Sequence, residues 1–357
     1  MHAPGFVLLG LLSLADWAAA APQITVEASH QARDTNAATT FAPKGKWTSL
    51  APLTPFKRQE HRTVALNSTH LYVLGGVVPE LDGVIFPTVT LMQVYSIPKN
   101  KWTTVAPVPI GFNHPNAAVV DGKIYLLGGL TPGEGLLWVS SPKCFVYDPV
   151  KDKWTALPDM PDGRGSAAVE VKDKTIYLAG GLTPIVSIGP DDREDTVNIT
   201  SSYNTVTKKW TALPALPAPR DHAGVALIDS ILYILGGRAF GHDNVVNDVF
   251  ALDLSAKKPV WTTNRAKMPT PRGGLSSATL DGIVYTFGGE GDFSNPSGVF
   301  NETEAYDPCT DKWTKLGPMA FPRHGTCAVA IGRKIYIAGG GNLKGGAPVD
   351  TFDYFSL

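Results

Sequence analysis

A chain of 357 residues with 43% hydrophobic content can bury a large core. Its charge is balanced, with 31 Lys and Arg against 32 Asp and Glu, and no basic block is present, so nucleic acid is not an expected partner. The 36 Gly and 29 Pro suit a protein built from many short strands and turns, not from helices.

The N-terminus reads as a secretory signal: an apolar run from Gly5 to Ala15 leads into the small-residue stretch Ala18 to Ala21. The run is too short to span a bilayer, and the pattern predicts cleavage near Ala20 or Ala21. Residues 1–21 are therefore expected to be a signal peptide, the mature chain to be extracellular, and no membrane span is expected. Residues 22–43 are rich in Ala and Thr and read as a flexible leader. Three N-x-S/T acceptors, at Asn67, Asn198 and Asn301, predict glycosylation. Cys144, Cys309 and Cys327 are too few for a disulfide framework and read as packing residues.

From residue 44 to 357 one phrase recurs six times, as LYVLGG, IYLLGG, IYLAGG, LYILGG, VYTFGG and IYIAGG. The Gly pairs begin at Gly75, Gly128, Gly180, Gly236, Gly288 and Gly339, in steps of 53, 52, 56, 52 and 51 residues. A Trp keeps the same beat, at Trp47, Trp102, Trp154, Trp210, Trp261 and Trp313. A fixed period of this size marks stacked copies of one supersecondary unit, each unable to bury its apolar face alone. In the fourth copy HAGVALIDS, ILYILGG, NDVFALDL and PVWTT read as four successive strands. The Gly pair is expected to end the second strand where a neighbour approaches closely, and the Tyr and Trp to fill the space between sheets.

The Gly pair, the third-strand phrases Val146-Tyr147-Asp148-Pro149 and Ala305-Tyr306-Asp307-Pro308, and the Lys-Trp-Thr fourth strand resemble kelch repeats. The resemblance implies an all-β fold, a six-bladed kelch-type β-propeller of four-stranded blades around a central channel. Lys46-Trp47-Thr48 is a fourth strand with no blade before it, and Thr351-Phe352-Asp353-Tyr354 a third strand with nothing after it. The last blade is therefore predicted to be closed by the N-terminal strand.

In this topology the loop entering each first strand and the loop between second and third strands share one face. Sixteen residues before each Gly pair stand Gln59, Phe112, Arg164, Arg220, Arg272 and Arg323; two residues later stand His61, His114, Ser166, His222, Gly274 and Gly325. After the pairs, Arg238 and Glu290 are the charged residues, on adjacent blades. These columns nominate His61, His114, His222 and Glu290 for acid–base chemistry, histidine being suited to proton transfer near neutral pH. Arg164, Arg220, Arg238, Arg272 and Arg323, with His242, His324, Trp138 and Phe112, are nominated as ligand contacts around the channel mouth. Loop residues Leu136, Leu137, Ile185, Ile188, Phe240, Phe293 and Phe300, with the acidic run Asp191 to Asp195, extend the candidate rim. Convergence of His61, His114 and His222 on one ion would need a narrow mouth, and no compact ligand motif is present, so neither metal nor other cofactor is expected.

The resemblance implies binding of a protein, glycan or small-molecule ligand at the loop-rich face, and a monomer is expected. It also carries precedents for enzymes, among them secreted sialic-acid mutarotation and metal-assisted rearrangement of small plant metabolites. The alternative is thus a cofactor-independent isomerase, lyase or cyclase using His and acid residues at the channel mouth. Kelch oxidases of the copper-radical type are larger and seven-bladed, and this chain does not fit them.

Overall fold

Six antiparallel sheets, five of four strands and the second enlarged to six, follow one another around a central channel in the computed structural model, which describes residues 45–81, 83–134, 137–187 and 194–357. The expected signal and leader lie outside the described residues. The innermost strands are Arg62–Ala65, Ala117–Val120, Ala168–Lys172, Gly224–Ile228, Ser276–Leu280 and Ala328–Ile331. The sixth sheet runs Ala328–Ile331, Lys334–Ala338, Phe352–Ser356, then Lys46–Ser49, with Trp47 paired to Phe355. The two ends of the repeat region thus complete one blade, as the unpaired strand phrases predicted.

The Gly pairs hold the blades to one another. In five of the junctions the second Gly donates its backbone N–H to a carbonyl of the following blade: Gly76 to Phe112, Gly181 to Arg220, Gly237 to Arg272, Gly289 to Arg323 and Gly340 to Arg58. The preceding Gly has positive φ, and a Cβ on Gly75, Gly180, Gly288 or Gly339 would collide with that same carbonyl. Both the backbone angle and the close approach exclude larger residues.

Six apolar clusters fill the junctions, one between each pair of blades. That between the last and first blades joins Phe352 and Tyr336 to Tyr95 and Trp102, with Tyr95 edge-on to Phe352 at 4.6 Å. The fourth-strand Trp reaches back to the previous blade: the indole N–H of Trp102, Trp154, Trp261 and Trp313 donates to the carbonyl of Ala51, Ala106, Pro214 and Ala266. Each aromatic thereby contributes apolar area and one directed bond.

On the loop-bearing face two elements reach across blades. The hairpin of the second blade's second and third strands is prolonged into a ribbon, Lys123–Pro132 with Leu137–Asp148, and its end pairs with Leu182–Ser187 of the third blade. From the sixth blade a small hairpin, Gly341–Leu343 with Gly346–Pro348, extends to Phe86 of blade one and to Glu290 of blade five.

Candidate functional site: a ring of six residues across the channel

Where each blade enters its innermost strand, one residue per blade joins a hydrogen-bonded ring. His114 N donates to Glu60 O (2.8 Å), Ser166 N to His114 O (2.9 Å), Gly274 N to His222 O (2.9 Å), Gly325 N to Gly274 O (3.0 Å) and Glu60 N to Gly325 O (2.7 Å). The remaining step uses a side chain, His222 N donating to Ser166 Oγ at 3.2 Å. All six residues lie in the left-handed region, with φ of 52° at Glu60, 50° at His114, 55° at Ser166, 51° at His222, 61° at Gly274 and 59° at Gly325. The ring narrows the channel enough for side chains of blades one, two and four to meet.

They meet as Glu60, His114 and His222. The two Nε2 atoms stand 3.0 Å apart, and Glu60 Oε2 lies 3.1 Å from His114 Nε2 and 3.7 Å from His222 Nε2. Each imidazole is fixed from behind by the residue just before it: His114 Nδ1 is 2.6 Å from Asn113 Oδ1, and His222 Nδ1 is 2.6 Å from Asp221 Oδ1. Asn113 is itself oriented, its amide donating to Thr88 Oγ1 at 2.7 Å. Trp138 of the ribbon packs against the His114 ring, centroids 5.3 Å apart.

Beside the cluster runs a chain of buried charges. Arg238 bonds Asp221 through Nε (3.1 Å) and Glu290 through Nη1; Gly345 N donates to Glu290 Oε2 at 2.8 Å. His324 Nδ1 lies 3.4 Å from Glu290 Oε2 and 3.9 Å from Glu60 Oε1, while its Nε2 donates to Leu343 O at 2.8 Å. Burial alone would raise the Glu60 and Glu290 carboxyls. Instead His114 and His222 hold Glu60 well below its usual range, and His324 with Arg238 brings Glu290 down to about 2. At His222, burial and Arg238 favour the neutral ring, but the bonds to Asp221 and Glu60 outweigh them and lift the group to about 9. Burial dominates at His114 and lowers it.

A cavity of about 80 Å³ is lined by Glu60, His114, Ser166 and His222 and by the first residues of the inner strands, among them Ala223 and Thr326. A larger cavity of about 370 Å³ continues along the same strands. Arg62 lines both, with Nε donating to Ala117 O at 3.1 Å, and Glu170 lines the larger one. Burial pushes the Glu170 carboxyl up to about 7, against the opposing pull of Arg62. Neither cavity is lined by the loop residues of the opposite side of the ring.

This geometry revises the residues nominated from sequence. Glu60, not His61, holds the ring position of blade one, and Arg58, not Gln59, is the partner of the arginine column. The cause is the inner hairpin of blade one, where Leu66 N bonds His70 O across three residues, Asn67, Ser68 and Thr69. Other blades turn in two residues, as in Val120 to Lys123 and Ile228 to Ile231. Counting back from the Gly pair through this longer turn slips the register by one. His61 lines the same small cavity but stays out of the three-residue cluster, its ring buried against Gly339 between blades six and one; burial and then Arg58 bring its imidazole down to about 3.

The arginine column does not face a ligand. Arg164 donates to Gly180 O and Ser201 Oγ, Arg220 to Pro219 O and Asp248, Arg272 to Glu304 and Thr286, and Arg323 to Ile337 O and Asp353. All four are buried and their Nη groups bond within their own blades, although Nε of Arg220, Arg272 and Arg323 has no partner among the described residues, so their nomination as ligand contacts is corrected to a scaffold role. Arg238 and Glu290 pair with each other, which places neither at an open mouth. Phe112 is buried in the core between blades one and two and is not a rim residue. His242 stands near Gly345, within the electrostatic reach of Glu290.

Phe240 and Phe293 are exposed on the loop face, whereas Leu136, Ile188 and Asp191 to Arg193 lie outside the described residues, as do the side chains of Leu137, Ile185 and Glu194. The sequon residues Asn67, Asn198 and Asn301 are all exposed, and the three cysteines are free thiols.

The fold and ring define a six-bladed β-propeller with a polar plug across its channel. A family model, the KLHDC2/KLHL20/DRC7 Kelch-repeats domain, matches residues 116–340, and the chain belongs to the kelch-repeat family. It is 47% identical over 309 residues to the Kelch-like protein terF of Aspergillus terreus, a match covering 84% of this chain and 66% of that protein. It is 27% identical over 228 residues to Kelch-like protein 25 of Xenopus tropicalis, covering 63% of this chain and 36% of the relative. The chain thus spans about two thirds or less of the length of these relatives. Among solved structures, that of YjhT superposes with a TM-score of 0.69 over 84% of this chain and 95% of YjhT, at 18% identity, a likeness of fold alone.

Proposed function

We propose that this propeller binds a small polar molecule in its central channel and that Glu60, His114 and His222 are the groups that engage it. One observation carries the reading: three ionisable side chains from three blades converge within 3.7 Å of one another at the wall of a cavity of about 80 Å³, which shares Arg62, Ala223 and Thr326 with the larger cavity of about 370 Å³. Buried ionisable groups are costly to a scaffold, and their concentration at a cavity is the usual physical mark of a working site. A carbonyl or hydroxycarbonyl compound suits the cluster, which can move a proton at such a ligand, so isomerisation or elimination is the reaction class it fits. Export of the chain belongs to the same reading, supported by the apolar leader and the three exposed sequons.

A second reading, capture of a protein or glycan on the loop face, is favoured by the exposed Phe240 (61%), Phe293 (70%) and Leu343 (50%) on neighbouring loops. A thermal-shift screen of small carboxylates and hydroxyketones, followed by NMR line-broadening of each hit, separates the two. Channel binding predicts that a hit is weakened by Arg62→Ala and His222→Ala and is indifferent to the double change Phe240→Ser with Phe293→Ser. Dependence on the two loop aromatics alone would sink the channel reading.

A further inference from the structure

The proton inventory of the ring cluster leaves a place for a cation. Asp221 is acceptor-only when ionised, and Asn113 presents its oxygen, because its amide nitrogen is committed to Thr88. Both imidazoles must therefore donate from Nδ1. In neutral rings of that tautomer the two Nε2 atoms carry lone pairs, and these point at each other across 3.0 Å with Glu60 Oε2 at 3.1 and 3.7 Å. Three lone-pair donors crowded this closely repel one another unless positive charge sits among them.

The wider charge balance agrees. Among the described residues Asp221 and Glu290 share the Arg238 guanidinium and Glu60 faces the histidines, so three buried carboxylates against one guanidinium carry 1 − 3 = −2, a charge that protonated imidazoles or a bound cation must balance. Buried charge of that size demands compensation.

We infer that Glu60, His114 and His222 form a binding site for a divalent first-row transition metal ion. The donor atoms of the three lie within 4.8 Å of one another and all three residues are buried. Two imidazoles and one carboxylate are a set used by zinc and by non-haem iron(II), which keep further positions open for water or substrate. The contacts behind the histidines match what metal-binding imidazoles need: an acceptor on Nδ1 that fixes the tautomer and aims Nε2 at the ion. The open side faces the cavity of about 80 Å³, where a ligand entering along the inner strands would arrive. The inference deepens the channel reading by naming what a carbonyl or carboxylate oxygen would meet there, but it stands on the ring alone.

The test is metal stoichiometry on the whole protein. Untagged protein purified without chelator is assayed by elemental mass spectrometry, then stripped and titrated with Co²⁺ while visible d–d absorption is followed. About one equivalent is expected, saturable and displaced by Zn²⁺. Glu60→Gln and His114→Gly should lower Co²⁺ affinity at least tenfold, and His61→Ala and His242→Ala should leave it unchanged. His114→Gly is the variant of choice for folding, since blades five and six carry Gly at the same ring position. Stripped wild-type protein that is folded by circular dichroism and gives no d–d band overturns the proposal without reference to any variant. In that event NMR should find a proton shared between His114 and His222 as the compensating charge. The ligand screen is read separately: metal binding without a channel ligand refutes the functional reading alone, and a channel ligand without metal refutes the metal alone.

Discussion

Blades five and six place Gly274 and Gly325 in the ring; blades one, two, three and four place Glu60, His114, Ser166 and His222 there. The backbone is alike in all six, with φ between 50° and 61° and head-to-tail backbone contacts at five of the six steps. Glycine is the residue this conformation favours, and a side chain held in it costs on the order of 1 kcal/mol. Four blades therefore carry a local strain that the propeller does not require. The arginine column one layer away shows the opposite economy, since each guanidinium there bonds carbonyls, hydroxyls or carboxylates of its own blade. Side chains in the column serve the fold, whereas on the proposal above Glu60, His114 and His222 serve what sits inside the ring.

The sharpest way to break this contrast is to truncate the column. Arg272 and Glu304 are both fully buried, with Arg272 Nη1 donating to Glu304 Oε2 at 2.8 Å. Arg272→Ala strands a buried carboxylate and should cost about 3–5 kcal/mol in urea unfolding. If that variant unfolds within 1 kcal/mol of wild type, roughly the level of an ordinary surface change, the column is not scaffold.

The comparison also explains what the amino-acid sequence could and could not reveal. A sixfold phrase with Gly at strand ends determines the blade count and the strand order, which are local to one repeat, and the strand phrases left over at its two ends reveal the stitched sixth blade. The ring was legible only in blades whose inner hairpins turn in two residues. Blade one writes Asn67-Ser68-Thr69 where others write pairs such as Asp229-Ser230 or Asp281-Gly282, and that length difference was the available signal. Anchoring the count on the start of the inner strand, at Arg58 and Arg220, would have put Glu60 beside His114 and His222. Two features had no signal in the period: the ribbon crossing from blade two to blade three, and the hairpin from blade six that reaches Glu290. Both depend on pairing between units, which a repeat does not encode.

Two carboxyls exposed to the channel cavities sharpen the contrast electrostatically. Glu60 is held low by two imidazoles, while Glu170 is pushed up to about 7 by burial. The unfolded chain releases the Glu170 proton near 4.5 and the folded one near 7, so folding takes up a proton between those values and stability falls as pH rises through that window. Glu170→Gln removes the slope and should stabilise the protein above pH 7 by at most about 3 kcal/mol, checked by urea titrations at pH 5 and pH 8. Equal gains at both pH values would mean that Glu170 ionises normally.

Gly325 tests the ring from its empty side. A Cβ there would overlap Glu60 Oε1, and the φ of 59° disfavours any side chain. Gly325→Ala should cost about 2 kcal/mol and expel Glu60 from the cluster, so Co²⁺ affinity falls with stability. Unchanged Co²⁺ binding in that variant would show that Glu60 is not a ligand.

The smallest expected change is the most discriminating. His114→Gly returns a strained position to the residue its backbone favours, a gain of about 1 kcal/mol. It also removes the bonds to Asn113 and Glu60 and the packing against Trp138, losses of similar size. The unfolding free energy of stripped protein should therefore move by less than about 1 kcal/mol, while the metal-loaded protein loses whatever stability the ion confers. A scaffold histidine predicts the reverse: a loss of several kcal/mol that is the same with and without metal. Because the two outcomes differ in how stability depends on Co²⁺ and not merely in its size, one pair of melting curves per variant decides whether the ring carries its side chains for the fold or for an ion.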